Sequence, residues 1–219
     1  MTHPLQAALT QGLTDLGLAL PTGTPERLLA YLDLISRWNK VYNLTAIREP
    51  ADMLSQHLLD CLAVLAPMAR HADARPSQGR AFRVLDVGSG AGLPGVVLAL
   101  CRPDWQVTCV DTVAKKASFI RQVAAELDVP GLTATHQRVE AMTEPPFDLI
   151  TSRAFASLAD FITLSRERLA PGGDWVAMKA KLSAEERAAV PADVQIERVE
   201  PITVPGLDAE RCLVWMKRH

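Results

Sequence analysis

The sequence predicts an α/β protein: a doubly wound, mostly parallel sheet of seven strands with one strand antiparallel, behind an N-terminal helical extension. Three observations predict it. Short apolar segments alternate with helix-compatible ones from residue 83 to residue 190. Gly88, Gly90, Gly92 and Gly95 crowd the turn between the first apolar segment and the helix that follows it. The last two strand-like segments, 194–204 and 212–217, have no helical crossover between them, which places an antiparallel strand at the end of the sheet. The expected division is a helical part over 1–80 and a sheet domain over 81–219.

In chain order, the leucines of residues 5–20 have rough helical spacing, weakened by Gly12 and Gly17. Pro21 and Gly23 break the pattern. Thr24 then caps a stronger helix, with Pro25 at its first position, Glu26 in its first turn, and Leu28, Leu29, Leu32 and Ile35 on its apolar face. Residues 37–45, RWNKVYNLT, follow. Two readings stand for them. Trp38 and Tyr42 stack bases while Arg37, Asn39, Lys40 and Asn43 hold a polynucleotide, or the stretch is a helix end with its aromatics packed inward. Residues 50–66 form another helix, with His57 and Asp60 three apart on it. No nucleophile stands beside that pair, which favours a surface hydrogen-bonded pair or a cap over a general base. Residues 70–83 carry Arg70, His71, Arg75, Arg80 and Arg83 against Asp73, with Pro76, Ser77 and Gly79 marking a loop. This is the domain boundary; Arg75 and Arg80 make it either a phosphate patch or a solvated linker.

The sheet then reads as strands at 83–87, 106–111, 133–139, 147–152 and 175–179. Helices lie between them at 94–101, 114–127 and 158–169, and a short one follows at 183–190. Pro130-Gly131, Pro145-Pro146 and Pro171-Gly172-Gly173 punctuate the series.

Composition excludes several classes. A net charge of −2 gives no global basic field, so contact with nucleic acid has to come from a local patch. The four cysteines are scattered, with neither a CxxC pair nor zinc spacing, so no metal is expected and the thiols read as reduced and buried. There is no signal-peptide pattern and no apolar run approaching about 20 residues, so a cytoplasmic chain without a membrane span is expected.

The glycine turn carries the chemistry. Glycine allows positive φ and close approach of a ligand, and a helix start offers it free N–H groups. A dinucleotide fingerprint opening at Gly88 requires glycine at 93, where Leu93 stands; opening at Gly90 it fits, but two residues late. S-adenosylmethionine explains more. Asp86, just before the turn, is placed to receive an ammonium, and Gly88-Ser89-Gly90 brings backbone to the methionine and ribose. Asp111, closing the second strand, is placed for ribose hydroxyls, though it serves a dinucleotide equally. The bland roles are a backbone acceptor for Asp86 and a helix cap for Asp111. Arg138, Val139 and Glu140 end strand three, where an adenine edge is read, and Ser152-Arg153 ends strand four. Arg153 either holds a phosphate or base edge or pairs with an acid.

The stretch 86–95, DVGSGAGLPG, resembles the bacterial small-subunit ribosomal RNA guanine-N7 methyltransferase family, also known as glucose-inhibited division protein B. So do residues 37–45, 57–61 (HLLDC) and 152–158 (SRAFASL), in the same order, and the resemblance covers about residues 25–217. It implies a Rossmann-like methyltransferase sheet and methyl transfer from S-adenosylmethionine to N7 of a guanine in the decoding region of 16S ribosomal RNA. It implies the assembled small subunit as substrate. Cofactor contacts are implied at Gly88, Leu93, Val139, Glu140 and Arg153; with the residues read above, the expected cofactor set is Asp86, Gly88, Ser89, Gly90, Gly92, Leu93, Asp111, Val139, Glu140 and Arg153. Guanine N7 carries no proton, so no catalytic histidine is expected, and Arg153 or Lys179 is expected to orient the base. A monomer is expected.

Overall fold

The computed structural model describes residues 2–75, 79–155 and 157–219 of the chain. Pro76 and Ser77 of the expected linker, and Ala156 of the 152–158 stretch, lie outside the described residues.

One seven-stranded sheet organises the molecule. Its strands are β1 (Phe82–Val87), β2 (Trp105–Asp111), β3 (Leu132–His136), β4 (Phe147–Arg153), β5 (Leu169–Lys179), β6 (Val194–Ile202) and β7 (Arg211–Arg218). Their order across the sheet is β3-β2-β1-β4-β5-β7-β6. All pairings are parallel except those of β7, which runs antiparallel to both β5 and β6. The chain therefore moves outward from β1 to β3, then returns to lay β4 on the other side of β1. That reversal opens a crevice at the carboxyl ends of β1 and β4.

The alternation of side chains along each strand sorts the core into two layers. Val84, Val107, Cys109, Leu149, Val176 and Trp215 face one side. Leu85, Val87, Val110, Ile150, Trp175 and Val214 face the other. The second side is covered by α8 (Leu158–Ser165) and flanked by the short α9 (Ala184–Ala188). The first carries α6 (Gly95–Cys101), α7 (Ala114–Glu126) and all of the N-terminal helices, in one continuous apolar cluster.

Those N-terminal helices are α1 (Gln6–Asp15), α2 (Thr24–Tyr42), α3 (Pro50–Met53), α4 (Asp60–Ala63) and α5 (Leu65–Asp73). Gly12 does not interrupt α1, because a side chain there would collide with Leu59, and glycine lets the helix approach. Between α3 and α4 the backbone winds as a π-helix over Leu54–Leu59, so 50–63 is one helical rod with a widened central turn. α2 is tied to the elements around the sheet. Arg27 donates to the carbonyl of Leu127 at 3.0 and 2.7 Å, satisfying an orphan carbonyl at the end of α7. The buried Tyr31 hydroxyl donates to the carbonyl of Ala91 at 2.6 Å, inside the glycine turn.

Several elements differ from the sequence reading. α5 runs to Asp73, so Arg70 and His71 lie in a helix and not in the expected loop, and β3 stops at His136, with Val139–Ala141 a 3-10 turn. β5 begins at Leu169, so Pro171-Gly172-Gly173 lies inside the strand, with Gly172 at φ +71° and a register shift against β4. α8 accordingly ends at Ser165. The antiparallel strand is not at the sheet edge: β7 inserts between β5 and β6, because its fully apolar run Leu213–Met216 needs burial on both faces while β6 is polar enough for the edge.

Candidate functional site

Two cavities open at the carboxyl edge of the sheet, one on either side of the end of β4. The first, of about 380 Å³, is lined by Gly88, Asp111, Lys116, Val139, Glu140, Arg153 and Phe155, among others. Five of the expected cofactor residues thus meet in one cleft. Asp111 holds its shape: Oδ2 accepts from the Gly90 N–H at 3.0 Å and Oδ1 from the Val113 N–H at 2.8 Å. One carboxylate ties the glycine turn to the start of α7 and still borders the cleft.

The glycines divide into two groups. Gly88 and Gly90 adopt φ of +68° and +59°. A Cβ on Gly90 would meet nothing within 4 Å, and one on Gly88 would meet only the Phe155 ring. Gly92 and Gly95 face the opposite way. A Cβ on Gly92 would strike Val96 and one on Gly95 would strike Cys109, so these two serve the approach of loop and helix layer. Asp86, Ser89, Gly90, Gly92 and Leu93, also expected at the cofactor, do not line the cleft. The Leu93 side chain is core beneath the turn, leaving its backbone as what it presents to a ligand.

Asp86 also lies beneath the turn. It is fully buried, and its Oδ2 accepts from the Gly95 N–H at 2.8 Å, fastening the start of α6. Its Oδ1 is buried without a partner among the described residues. Burial pushes this carboxyl up to about 7. Ser89 is likewise buried, and its carbonyl accepts from the N–H groups of Gly92 and Leu93 at 2.7 and 3.0 Å. An open backbone at Gly88 and Gly90, a bordering carboxylate at Asp111 and an unsatisfied acceptor at Asp86 fit a ligand that brings an ammonium and a diol.

The second cavity, of about 400 Å³, is lined by Gln56, His57, Asp60, Ser152, Phe155, Lys179 and Arg211, and shares Arg153, Ala154 and Phe155 with the first. Ala154 sits in this shared wall at φ +61°, a conformation costing a non-glycine residue roughly 1 kcal/mol or more. Arg153 is fixed by the Gln56 carbonyl at 2.8 Å and Asp60 Oδ2 at 3.1 Å. Asp60 Oδ1 accepts from Arg211 Nε at 2.9 Å, so one buried carboxylate joins the ends of β4 and β7. Lys179 also faces this cavity and is ion-paired with Glu186.

Several expectations are corrected. His57 and Asp60 are not a surface pair: both are buried, at 4% and 3% exposure, and they bond elsewhere. His57 Nε2 is 2.9 Å from Thr45 Oγ1, and burial with the Arg153 charge lowers its imidazole to about 4, so it is neutral at physiological pH. Asn39, expected to hold RNA, is buried at 3%. Its Oδ1 accepts from the Thr45 N–H at 3.0 Å and its Nδ2 donates to the Ile47 carbonyl at 3.2 Å, closing the turn after α2. Trp38 packs inward on Phe119 at 5.3 Å, while Tyr42 stays 41% exposed beside an exposed Val41. Arg37 and Lys40 are exposed, with Arg37 reaching Glu126 at 3.9 Å. Asn43, at φ +49°, ends α2 and accepts from Arg48 at 3.2 Å. Arg75 and Arg80 are not a phosphate patch. Arg75 donates to Asp174 at 2.7 Å, and Arg80 clasps Asp148 at 2.7 and 2.8 Å. Both acids sit toward the amino ends of their strands, across the sheet from the cavities, so these arginines fasten the linker there.

Sequence reasoning missed Gln56, Phe155 and Arg211. Phe155 follows Arg153 at a strand end and was legible there. Arg211 lies 151 positions from Asp60 and carried no local signal.

The family profile for rRNA small subunit methyltransferase G matches residues 24–214. The ribosomal RNA small subunit methyltransferase G of Leptothrix cholodnii is 58% identical over 215 residues, covering 98% of this chain and 96% of that protein. That of Bordetella avium is 51% identical over 210 residues, covering 96% and 92%. Among solved structures, magnesium protoporphyrin IX methyltransferase from Synechocystis with bound SAM has the same fold, at TM-score 0.60 and 14% identity over 88% of this chain and 97% of that one. TrmN from Thermus thermophilus superposes at TM-score 0.55 and 20% identity over 76% of this chain and 53% of its own. With a profile match across nearly its whole length and relatives more than half identical, the chain belongs to the rRNA small subunit methyltransferase G family.

Proposed function

We propose that this chain transfers a methyl group from S-adenosylmethionine to N7 of a specific guanine in the decoding region of 16S ribosomal RNA, acting as a cytoplasmic monomer on the small subunit. One observation carries the reading. Two cavities of similar size meet at a single wall, residues 153–155, where the strand order reverses. Such a wall lets a cofactor and a base approach each other from opposite sides.

S-adenosylmethionine, when bound, supplies a methyl group on a sulfonium, which is already a good leaving group. Gly88 and Gly90 offer it backbone, Asp111 the ribose diol acceptors, and Val139 with Glu140 a border for the adenine. The free oxygen of Asp86, buried beneath the turn, suits an ammonium reached through water. On the other side, Phe155 offers an aromatic face to a splayed base. Arg153 is a donor already oriented by Gln56 and Asp60, and suits guanine O6. N7 has a lone pair and no proton, so the work left to the protein is alignment at about 3 Å. A neutral His57 with so low a pKa adds no useful base. Lys179, held by Glu186, is a second donor facing the same cavity.

Small subunits incubated with the chain and labelled S-adenosylmethionine are expected to acquire one methyl group, mapped to a single guanine N7. Binding of NADH in place of S-adenosylmethionine would overturn the cofactor reading. Methylation of small molecules but not of subunits would overturn the substrate.

A further inference from the structure

A third concavity adjoins the base cavity. It is a groove of about 570 Å³ between the segment after β5 and the β6–β7 hairpin, and it shares Ala180 and Arg211 with the base cavity. Its apolar floor includes Pro201, Ile202 and Leu207, and its cations are Lys181, Arg187 and Arg211. Asp208 and Glu210 line it too, so it is not a uniformly basic trough.

Its cations differ from those across the sheet. At the amino edge Arg75, Arg80 and Arg102 are each held by a carboxylate. Lys181 and Arg187 are exposed, and among the described residues neither has an ion-pair or side-chain hydrogen-bond partner. Arg211, at the junction, has Nε on Asp60 and Nη1 on the Glu210 carbonyl, which fixes its guanidinium between the two spaces.

A base can enter the second cavity only if its strand is splayed, and the neighbouring nucleotide must then leave across the cavity rim. We propose that the groove is that exit, taking one nucleotide adjacent to the target guanine; this rests on the base reading of the second cavity. Lys181 and Arg187 meet its phosphate, and Pro201, Ile202 and Leu207 support its base. Asp208 and Glu210 accept from exocyclic amino groups, as carboxylates do from cytosine N4. A ligand that is anionic at one end and carries amino donors at the other matches this mixed lining better than a purely acidic partner does.

The test compares the Lys181→Ala/Arg187→Ala double variant with wild type. Its KM for small subunits is expected to rise about tenfold, and the salt dependence of subunit binding to become shallower by about 0.7 in log–log slope, the share of one single-strand phosphate contact. Its affinity for S-adenosylmethionine, by calorimetry, reports that the fold is intact. Arg218→Ala, at the amino edge, serves as the control and moves neither quantity. A benzophenone side chain introduced at Leu207 reads the location directly, and is expected to crosslink to a nucleotide next to the methylated guanine. An unchanged KM and slope, a crosslink to a ribosomal protein or to a distant nucleotide, or no crosslink to RNA each overturns the groove. A wild-type chain that binds S-adenosylmethionine yet leaves subunits unmethylated instead overturns the functional reading, so the two failures are distinguishable.

Discussion

Asp86 and His57 stand within the site's supports, and burial drives both toward the neutral form, which for the acid means keeping a proton and for the imidazole refusing one. Burial lifts the Asp86 carboxyl from 3.8 to about 7. The folded chain therefore keeps a proton that the unfolded chain releases over that range, and the stability this group contributes falls as pH rises through it. His57 falls from 6.5 to about 4. The unfolded chain takes up a proton that the folded chain refuses, so stability falls as pH drops through that range. Between about pH 4 and 6.5 the two slopes oppose each other. Asp86→Asn leaves the histidine slope alone, and its melting temperature is expected to climb with pH across this window more steeply than that of wild type. His57→Asn should tilt the profile the other way. Thermal melts of the three proteins over the window check this; parallel profiles would rule it out. The sequence showed Asp86 as an acid before a glycine turn, and that was correct as a position. Its fastening of Gly95 was not legible, because the partner is chosen by how the turn folds back over it.

At the scale of elements, the glycine turn is held by a helix of the N-terminal layer. The Tyr31 hydroxyl of α2 donates to the Ala91 carbonyl from a buried position. Tyr31→Phe leaves that carbonyl unpaid, at a cost of about 1–3 kcal/mol. Weaker binding of S-adenosylmethionine is expected together with a lower melting temperature, measured by calorimetry and thermal melts. A lower melting temperature with unaltered affinity would show that α2 does not govern the turn. The same scale explains the misplaced elements. Pro171-Gly172-Gly173 reads as a terminator because those residues break helices and strands alike, yet here they form an irregularity inside β5. The aromatic and basic stretch at 37–45 reads as a nucleic-acid surface because residue types alone do not tell a buried Asn39 from an exposed Lys40.

At the scale of the molecule, the expected division at residue 80 runs through continuous core. Val84, Val107, Cys109, Leu149 and Trp215 share one cluster with Leu28, Ile35, Leu58 and Leu62. His71 of α5 lies over Trp215 at 4.7 Å between ring centroids. We infer that residues 81–219 do not fold alone, since one side of the sheet would be left bare to water. Expressed by itself, that fragment is expected to aggregate or to lack a cooperative melt, as judged by sedimentation and circular dichroism. A monomeric fragment with a sharp transition would show that the helical layer is dispensable.

The sequence by itself determined the sheet, the glycine turn, the acid that ends β2 and the family. Each is written in contiguous residues: the period of apolar side chains, the spacing of glycines, and the polar residues at strand ends. Tertiary structure alone decided which of those residues face the cavities. It split four closely spaced glycines between open space and core, sent Arg75 and Arg80 to the far edge, and brought Asp60, Arg153 and Arg211 together from three remote segments. The physical reason is that a buried charge must find a partner wherever the fold supplies one, and that partner's distance along the chain leaves no trace in local pattern.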